Sequence, residues 1–434
     1  MRVSEALEKS INEGAIGVLV LFLVISLLPV FVREFRNSAR LILAYWFVVA
    51  LHQCVAFTNT FLFKTIGSTT DAKNFNISAI GYAQNQNFFT CVDCGRYTSL
   101  FENILGFLYW IFGSSSLVGS QLSILAFAIS CIILVKIMRL LELSHYKVPA
   151  LFVFGSLPSM VLLGSITLRE PYQLLFFILV TYFGLRMLIE KNIRVYGVLM
   201  VVSALVMGQL HTGLMIIGVI ISALFFVWNP RPTSSLLSIK KRHLKIFFVT
   251  LMLLTGTIYL TKVQHVDLGV ISEVINLDVQ YKTELFQYRT RTVTGRATYR
   301  IPLDFSSPFM AANSYFLLYV YYLFAPFPWQ INSLLDVGAS IESMSRMILL
   351  YFSVMHWHHA YGVQRRLLML MLILFFGMSF MWALGTSNYG TAMRHNMLSW
   401  WILAITGVPL LMKMLSRFWL GLKQYVDGHI FRAS

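Results

Sequence analysis

Gly164-Ser165-Ile166-Thr167-Leu168-Arg169-Glu170-Pro171 is the stretch on which the fold turns. It joins two apolar runs, 148–166 and 171–188, with almost no loop between them. Each flank approaches the roughly 20 apolar residues that cross a hydrocarbon core. Pro171 suits the first turn of the second helix, where its missing N–H costs nothing. The reading is a transmembrane helical hairpin with an arginine and a glutamate at its tip. Charges held this close to a bilayer are costly and mark a functional site by default.

Outward from that hairpin the same pattern repeats. The 434-residue chain is 57% hydrophobic and only 12% charged, whereas a soluble protein carries about 25% charged residues. The expected fold is all-α: one polytopic helical membrane domain over residues 1–434, with about eleven transmembrane helices. They are placed at 14–32, 41–63, 117–138, 148–166, 171–188, 195–210, 213–228, 246–262, 346–361, 367–385 and 396–412. Two elements are too short or too broken to span. The run 101–112 reads as an interfacial helix. Residues 312–343 hold Ala325-Pro326-Phe327-Pro328-Trp329, whose prolines break a helix, so this segment reads as a re-entrant or interfacial hairpin.

Basic residues fix the sidedness, because short positive loops stay cytoplasmic. Arg33/Arg36/Arg40, Lys136/Arg139/Lys147, Arg186/Lys191/Arg194, the cluster from Arg231 to Lys245, Arg365/Arg366 and the C-terminal tail fall on one side. The N-terminus is then outside and the C-terminus cytoplasmic, with a first helix that is retained rather than cleaved as a signal peptide. The net charge of +16 is used up in these loops; no basic stripe with interleaved aromatics points to nucleic acid. Cys54 and Cys131 lie in apolar runs and read as buried small hydrophobes. Cys91 and Cys94 form a local CxxC without the second pair that zinc would need.

The opposite, extracytoplasmic face collects the chain's remaining polar groups, with the outer loops 64–116 and 263–345 as the site region. Asp71 follows the second helix, and a carboxylate there can take a hydroxyl proton or hold a cation. Arg169 sits where positive residues are disfavoured, and its planar fork suits phosphate oxygens. Glu170 lies beside it, at the positive end of a helix. His211 marks another outer turn. The loop at 288–300 carries Tyr288, Arg289, Arg291, Arg296 and Arg300, suited to clamping an anion or tracking an oligosaccharide. Asn388, Arg394 and His395 precede the last helix. Arg394 stands at the electrostatically wrong end of that helix, a conflict that a bound anionic ligand would resolve.

With these residues in place, the chain resembles the GT-C superfamily of membrane glycosyltransferases, and within it the bacterial polysaccharide polymerases of the Wzy and EpsG kind. The likeness is carried by Asp71-Ala72, Phe101-Glu102-Asn103-Ile104-Leu105, Phe112-Gly113, Pro158-Ser159 and Leu168-Arg169-Glu170. Leu210-His211-Thr212-Gly213, Phe327-Pro328-Trp329 and Asn388-Tyr389-Gly390-Thr391-Ala392-Met393-Arg394-His395 complete it. The resemblance implies a GT-C-like helical fold in a bacterial inner membrane. It implies transfer of glycan from a polyprenyl-(pyro)phosphate-linked donor to an acceptor hydroxyl outside, alongside other polysaccharide-assembly membrane proteins.

Asp71, Arg169, Glu170, His211 and Arg394 would be catalytic. Tyr288, Arg289, Arg291, Arg296, Asn388 and His395 would bind substrate. In the metal-using branch a divalent cation, Mg or Mn, would sit at Asp71/Glu170, although the Asp71 loop lacks the paired acids of that branch. Two rival readings are a single-sugar transferase using a polyprenyl-monophosphate donor and a lipid-linked oligosaccharide flippase or other transporter.

Overall fold

The computed structural model describes residues 14–86, 100–228, 230, 297–299, 301, 304 and 307–430. Among these residues the chain is helical, with no strand beyond an isolated bridge between Thr298 and Asn388. The principal helices are α1 (Ala15–Leu27), α2 (Ala39–Phe57), α3 (Asp71–Asn85), α4 (Leu100–Phe112), α5 (Ser116–Leu140), α6 (Lys147–Ser156) and α7 (Pro158–Gly164). They continue with α8 (Glu170–Glu190), α9 (Ile193–Leu210), α10 (Thr212–Val227), α11 (Pro308–Phe324), α12 (Leu334–His359), α13 (Gly362–Ala383) and α14 (Tyr389–Ile430).

Among the described residues, six helices are long and apolar enough to cross a membrane, or seven if the bent pair α6–α7 counts as one span. This is an integral membrane protein, but the described residues do not give the expected eleven spans. Segments 14–32 and 213–228 form apolar helices of fewer than 18 residues, and 246–262 lies outside the described residues. The run 148–166 is bent by 62° at Leu157–Pro158. The cause is local: Pro158 leaves Leu157 in an extended conformation (φ −60°, ψ 135°), the usual effect of proline on its predecessor.

The segment 312–343 also differs from expectation. Residues 334–343 are not the second arm of a hairpin; they are the first turns of α12, which runs unbroken to His359. Asp336, Glu342 and Arg346 depress the hydropathy of this helix, and all three are buried. Cys131 is buried as expected, but Cys54 is exposed.

Packing divides the helices by depth. The apolar window of α5 is 89% buried and that of α9 only 39%, so α5 is central and α9 lies at the rim. Rim positions such as Leu19, Leu43, Phe47, Val198 and Ile216 are exposed, as lipid-facing side chains must be. α5 also anchors the hairpin tip. Thr167 donates its hydroxyl to Ser116 O at 3.2 Å, while Leu168 N–H donates to Ser123 Oγ at 3.2 Å. Tyr172 OH donates to Leu122 O at 3.2 Å. Gly119 permits this approach: a Cβ there would stand 2.5 Å from Thr167 Oγ1. The Arg169-Glu170 corner is therefore held by the most enclosed helix of the bundle.

Candidate functional site

Segment 64–116 contains two packed helices, so Asp71 is the first residue of α3 rather than a loop acid. α3 and α4 meet closely at Gly106, where a Cβ would stand 2.8 Å from Tyr82 and 3.0 Å from Ala79 O. Tyr109 OH donates to Asn76 Oδ1 across the same contact. Asp71 at a helix N-terminus is favourably placed by the helix dipole, which helps fix this end of α3 at the hairpin tip.

Arg394 completes the site. Its Nε and Nη2 donate to Glu170 Oε1 at 2.8 and 2.5 Å, and its Nη1 donates to Asp71. One guanidinium thus joins α14, α8 and α3 across sequence separations of 224 and 323 residues. These two carboxylates offset the charge of an arginine near the start of α14. Exposure separates the two acids. The Glu170 side chain is 3% exposed and fixed, while that of Asp71 is 46% exposed and open to an incoming group.

Arg169 caps the start of α8, and its guanidinium carbon lies 5.5 Å from the centroid of the Phe75 ring. That ring packs edge-on against Phe101 at 5.5 Å, and Phe101 in turn meets Tyr172 at 5.9 Å. Aromatic faces attract cations, so three helices supply a platform that orients Arg169. Glu102 on α4 feels the charges of Arg169 and Glu170, and burial raises its carboxyl above the ordinary range. The sequence reading gave Glu102 no role beyond membership of a quoted pattern.

His211 caps α10, with Nδ1 accepting from Gly213 N–H at 3.1 Å. A neutral imidazole that accepts at Nδ1 carries its proton on Nε2, so His211 presents a donor. Burial, and then the charges of Arg169 and Arg394, lower its pKa from 6.5 to about 4. Trp382 lies 4.9 Å from the His211 ring and stacks on His395 at 4.0 Å. The Nδ1 of His395 is 3.1 Å from Thr386 Oγ1. Asp71, Arg169, Glu170, His211, Arg394 and His395 therefore converge.

Asn388 is placed differently. Its carboxamide oxygen accepts from Thr391 N–H at 2.8 Å, capping α14. The flanking chain pairs with residues 297–299: Tyr389 N–H donates to Ala297 O at 3.0 Å, and Tyr299 N–H to Ser387 O at 2.9 Å. This brings the C-terminal end of the arginine-rich loop to the start of α14. Tyr288, Arg289, Arg291 and Arg296 themselves lie outside the described residues.

Asp71 and Glu170 already face the Arg394 guanidinium, so a dication between them would meet a positive charge. Among the described residues, no group of three or more His, Cys, Asp or Glu side chains could hold a metal ion.

The sequence reading missed a second charged cluster entirely. Glu342 accepts from Ser159 N–H at 2.9 Å and Ser159 Oγ at 2.6 Å, and pairs with Arg346 at 3.3 Å. Arg346 Nη1 donates to Leu323 O at 2.5 Å. Asp336, in the first turn of α12, accepts from Tyr389 OH at 2.7 Å. The i,i+4 spacing of Glu342 and Arg346 was the available signal, but it equally describes a solvated helix face.

No family model and no curated protein matches the chain. Among solved structures it is similar to the archaeal oligosaccharyltransferase AglB from Archaeoglobus fulgidus, in complex with an inhibitory peptide and a dolichol-phosphate. The TM-score is 0.47 at 11% identity, covering 89% of this chain and 52% of that one. This chain spans about half the length of AglB.

Proposed function

We propose that this chain is a membrane glycosyltransferase of the extracytoplasmic face, a polysaccharide repeat-unit polymerase using a polyprenyl-(pyro)phosphate-linked donor in a bacterial inner membrane. The observation that carries the reading is Arg394 held between a buried Glu170 and a half-exposed Asp71, with Arg169 and a donating His211 beside them. Such a site offers a base for a hydroxyl and preset positive charge for a leaving phosphate.

The acceptor O–H loses its proton to the Asp71 carboxylate as its oxygen attacks the anomeric carbon. The bond from that carbon to the donor phosphate oxygen breaks, and the lipid phosphate leaves with the electron pair. Arg169 and Arg394, with Arg289, Arg291 and Arg296 from the loop that ends beside α14, stabilise that charge. His211 Nε2–H donates to a substrate oxygen, Tyr288 and His395 contact the glycan, and Asn388 holds the loop and helix in register. Glu170 is a positioning residue, because it acts through Arg394. Since Arg394 already supplies the positive charge, the reaction as proposed uses no divalent cation.

The test is glycan profiling, by gel and mass spectrometry, in cells lacking the protein and complemented with wild type, Asp71→Asn or Arg169→Ala. Single repeat units where long chains stood, rescued only by wild type, support the polymerase. Long chains that persist but lack one sugar point to a single-sugar transferase. Repeats trapped on the cytoplasmic side point to transport. Full rescue by both variants at normal protein levels removes the mechanism.

A further inference from the structure

α3 has two working faces. Ala72, Phe75 and Ala79 are buried, with Phe75 against Arg169, while Lys73, Asn76 and Ile80 follow helical spacing along another face, which Thr69 continues just before the helix. That second face lines a cavity of about 390 Å³ together with Lys64, Ser115 and Ser116. Lys64 and Lys73 are its charges, and among the described residues lining it none is acidic. The start of α5 also borders it, and a helix N-terminus adds donor groups and positive potential to the two ammonium groups and the hydroxyls. The volume is in the range of small-molecule sites, and its chemistry is that of a phosphate site.

A second cavity of about 410 Å³ adjoins it, sharing Ser115. Its walls are apolar: Val18, Leu19 and Phe22 from α1, Phe57 and Phe61 from the end of α2, and Leu117 from α5. Around the cationic mouth, Leu62, Phe63, Ile66 and Ile77 are 76%, 66%, 52% and 58% exposed. Apolar side chains so exposed beside lysines belong at the membrane interface, where a lysine stem lies along lipid and its head reaches water. One apolar groove leading into one cationic cavity matches the chemistry of a single-chain lipid with a phosphate head.

We propose that this composite cavity is a second lipid-phosphate site: Lys64 and Lys73 hold the phosphate of a polyprenyl phosphate whose isoprenoid chain lies between α1 and α2. Thr69 and Lys73, which line it, flank Asp71 in sequence. Its role as the seat of a lipid-borne acceptor rests on the glycosyl-transfer reading; the binding does not.

The experiment uses the full chain in detergent with a polyprenyl phosphate carrying a photoreactive diazirine in its tail, followed by peptide mapping. Crosslinks within 15–22 and 57–61 are expected. They should fall at least tenfold in Lys64→Gln/Lys73→Gln and persist in Arg394→Gln. Unlabelled polyprenyl phosphate should compete, and neither dioleoylphosphatidylglycerol nor inorganic phosphate should. Crosslinks confined to other helices, or unchanged in the double variant, overturn the proposal. Equal competition by the two-chain lipid or by free phosphate also overturns it, in favour of a general headgroup or anion site. Labelling as expected in a protein that transfers no glycan keeps this site and removes the glycosyl-transfer reading instead.

Discussion

Two of the arginine–carboxylate groupings among the described residues, Arg346 with Glu342 and Arg394 with Glu170 and Asp71, differ in what surrounds them. Arg346 and Glu342 stand on one helix with side chains 3% and 2% exposed. Glu342 is also bound by both donors of Ser159, and Arg346 by Leu323 O. Arg394 instead joins three helices and keeps one partner, Asp71, 46% exposed. The enclosed pair is closed off from solvent by its neighbours among the described residues. The outer pair leaves an acid within reach of an incoming hydroxyl and backs it with fixed charge. On the proposed function, the first is structural and the second does the chemistry.

The largest expected effect tests the chemical half. Asp71→Asn keeps the shape and a hydrogen bond to Arg394 but removes the base. Loss of general-base catalysis lowers the rate by about 10²–10⁴. The purified variant should elute and melt like wild type while its glycan transfer falls by that factor. Transfer within threefold of wild type would reassign Asp71 to the same structural class as Glu342.

The structural half predicts the reverse pattern. Glu342→Ala leaves Arg346 buried without its carboxylate, a loss of about 3–5 kcal/mol, seen as low yield and an early melt in detergent. Replacing both members, as Glu342→Leu/Arg346→Met, should recover most of that loss, because a buried ion pair and well-packed apolar residues are often comparable in stability. Transfer should return with the fold. No corresponding apolar replacement of Glu170 and Arg394 should restore transfer, even where it restores the melt. If it does, the distinction between the two groupings fails.

These contrasts also mark what the sequence could disclose. Arg169, Glu170 and His211 were legible because each interrupts an apolar run, and a polar break in such a run has few explanations. Basic loops were the ground for expecting them on one face. The bridge through Arg394 was not legible, since nothing local links positions 71, 170 and 394; only the packing of α3, α8 and α14 does. The Glu342–Arg346 pair was hidden for a different reason. Asp336, Glu342 and Arg346 together lower the hydropathy of α12, so its first turns read as part of an outer hairpin. The bend at Pro158 had a visible cause in the proline, but apolar runs continue on both sides and read as one span.

Arg169→Lys gives a smaller effect, because the charge stays while the planar fork over Phe75 is lost. Transfer should fall about tenfold, roughly 1.4 kcal/mol of transition-state stabilisation, with normal melting. A complete loss would mean that the fork makes bidentate contacts on which the whole reaction depends, and Arg169 would then outrank Asp71.

The smallest effect concerns His211, and its sign follows from geometry and burial together. Nδ1 is occupied by Gly213 N–H, and the ring's pKa is lowered to about 4. Between pH 5 and 8 the imidazole is therefore mostly neutral and donates from Nε2, so it contributes no titration to the rate in that window. His211→Gln, which offers an N–H donor at comparable reach, should lower transfer by less than tenfold. The shape of its pH–rate profile should superpose on that of wild type from pH 5 to 8. A wild-type limb near pH 6.5 that vanishes in His211→Gln would show the ring gaining and losing its proton during turnover. Such a ring would be the base, and Asp71 would be left with the task now given to Glu170, that of holding Arg394 in place.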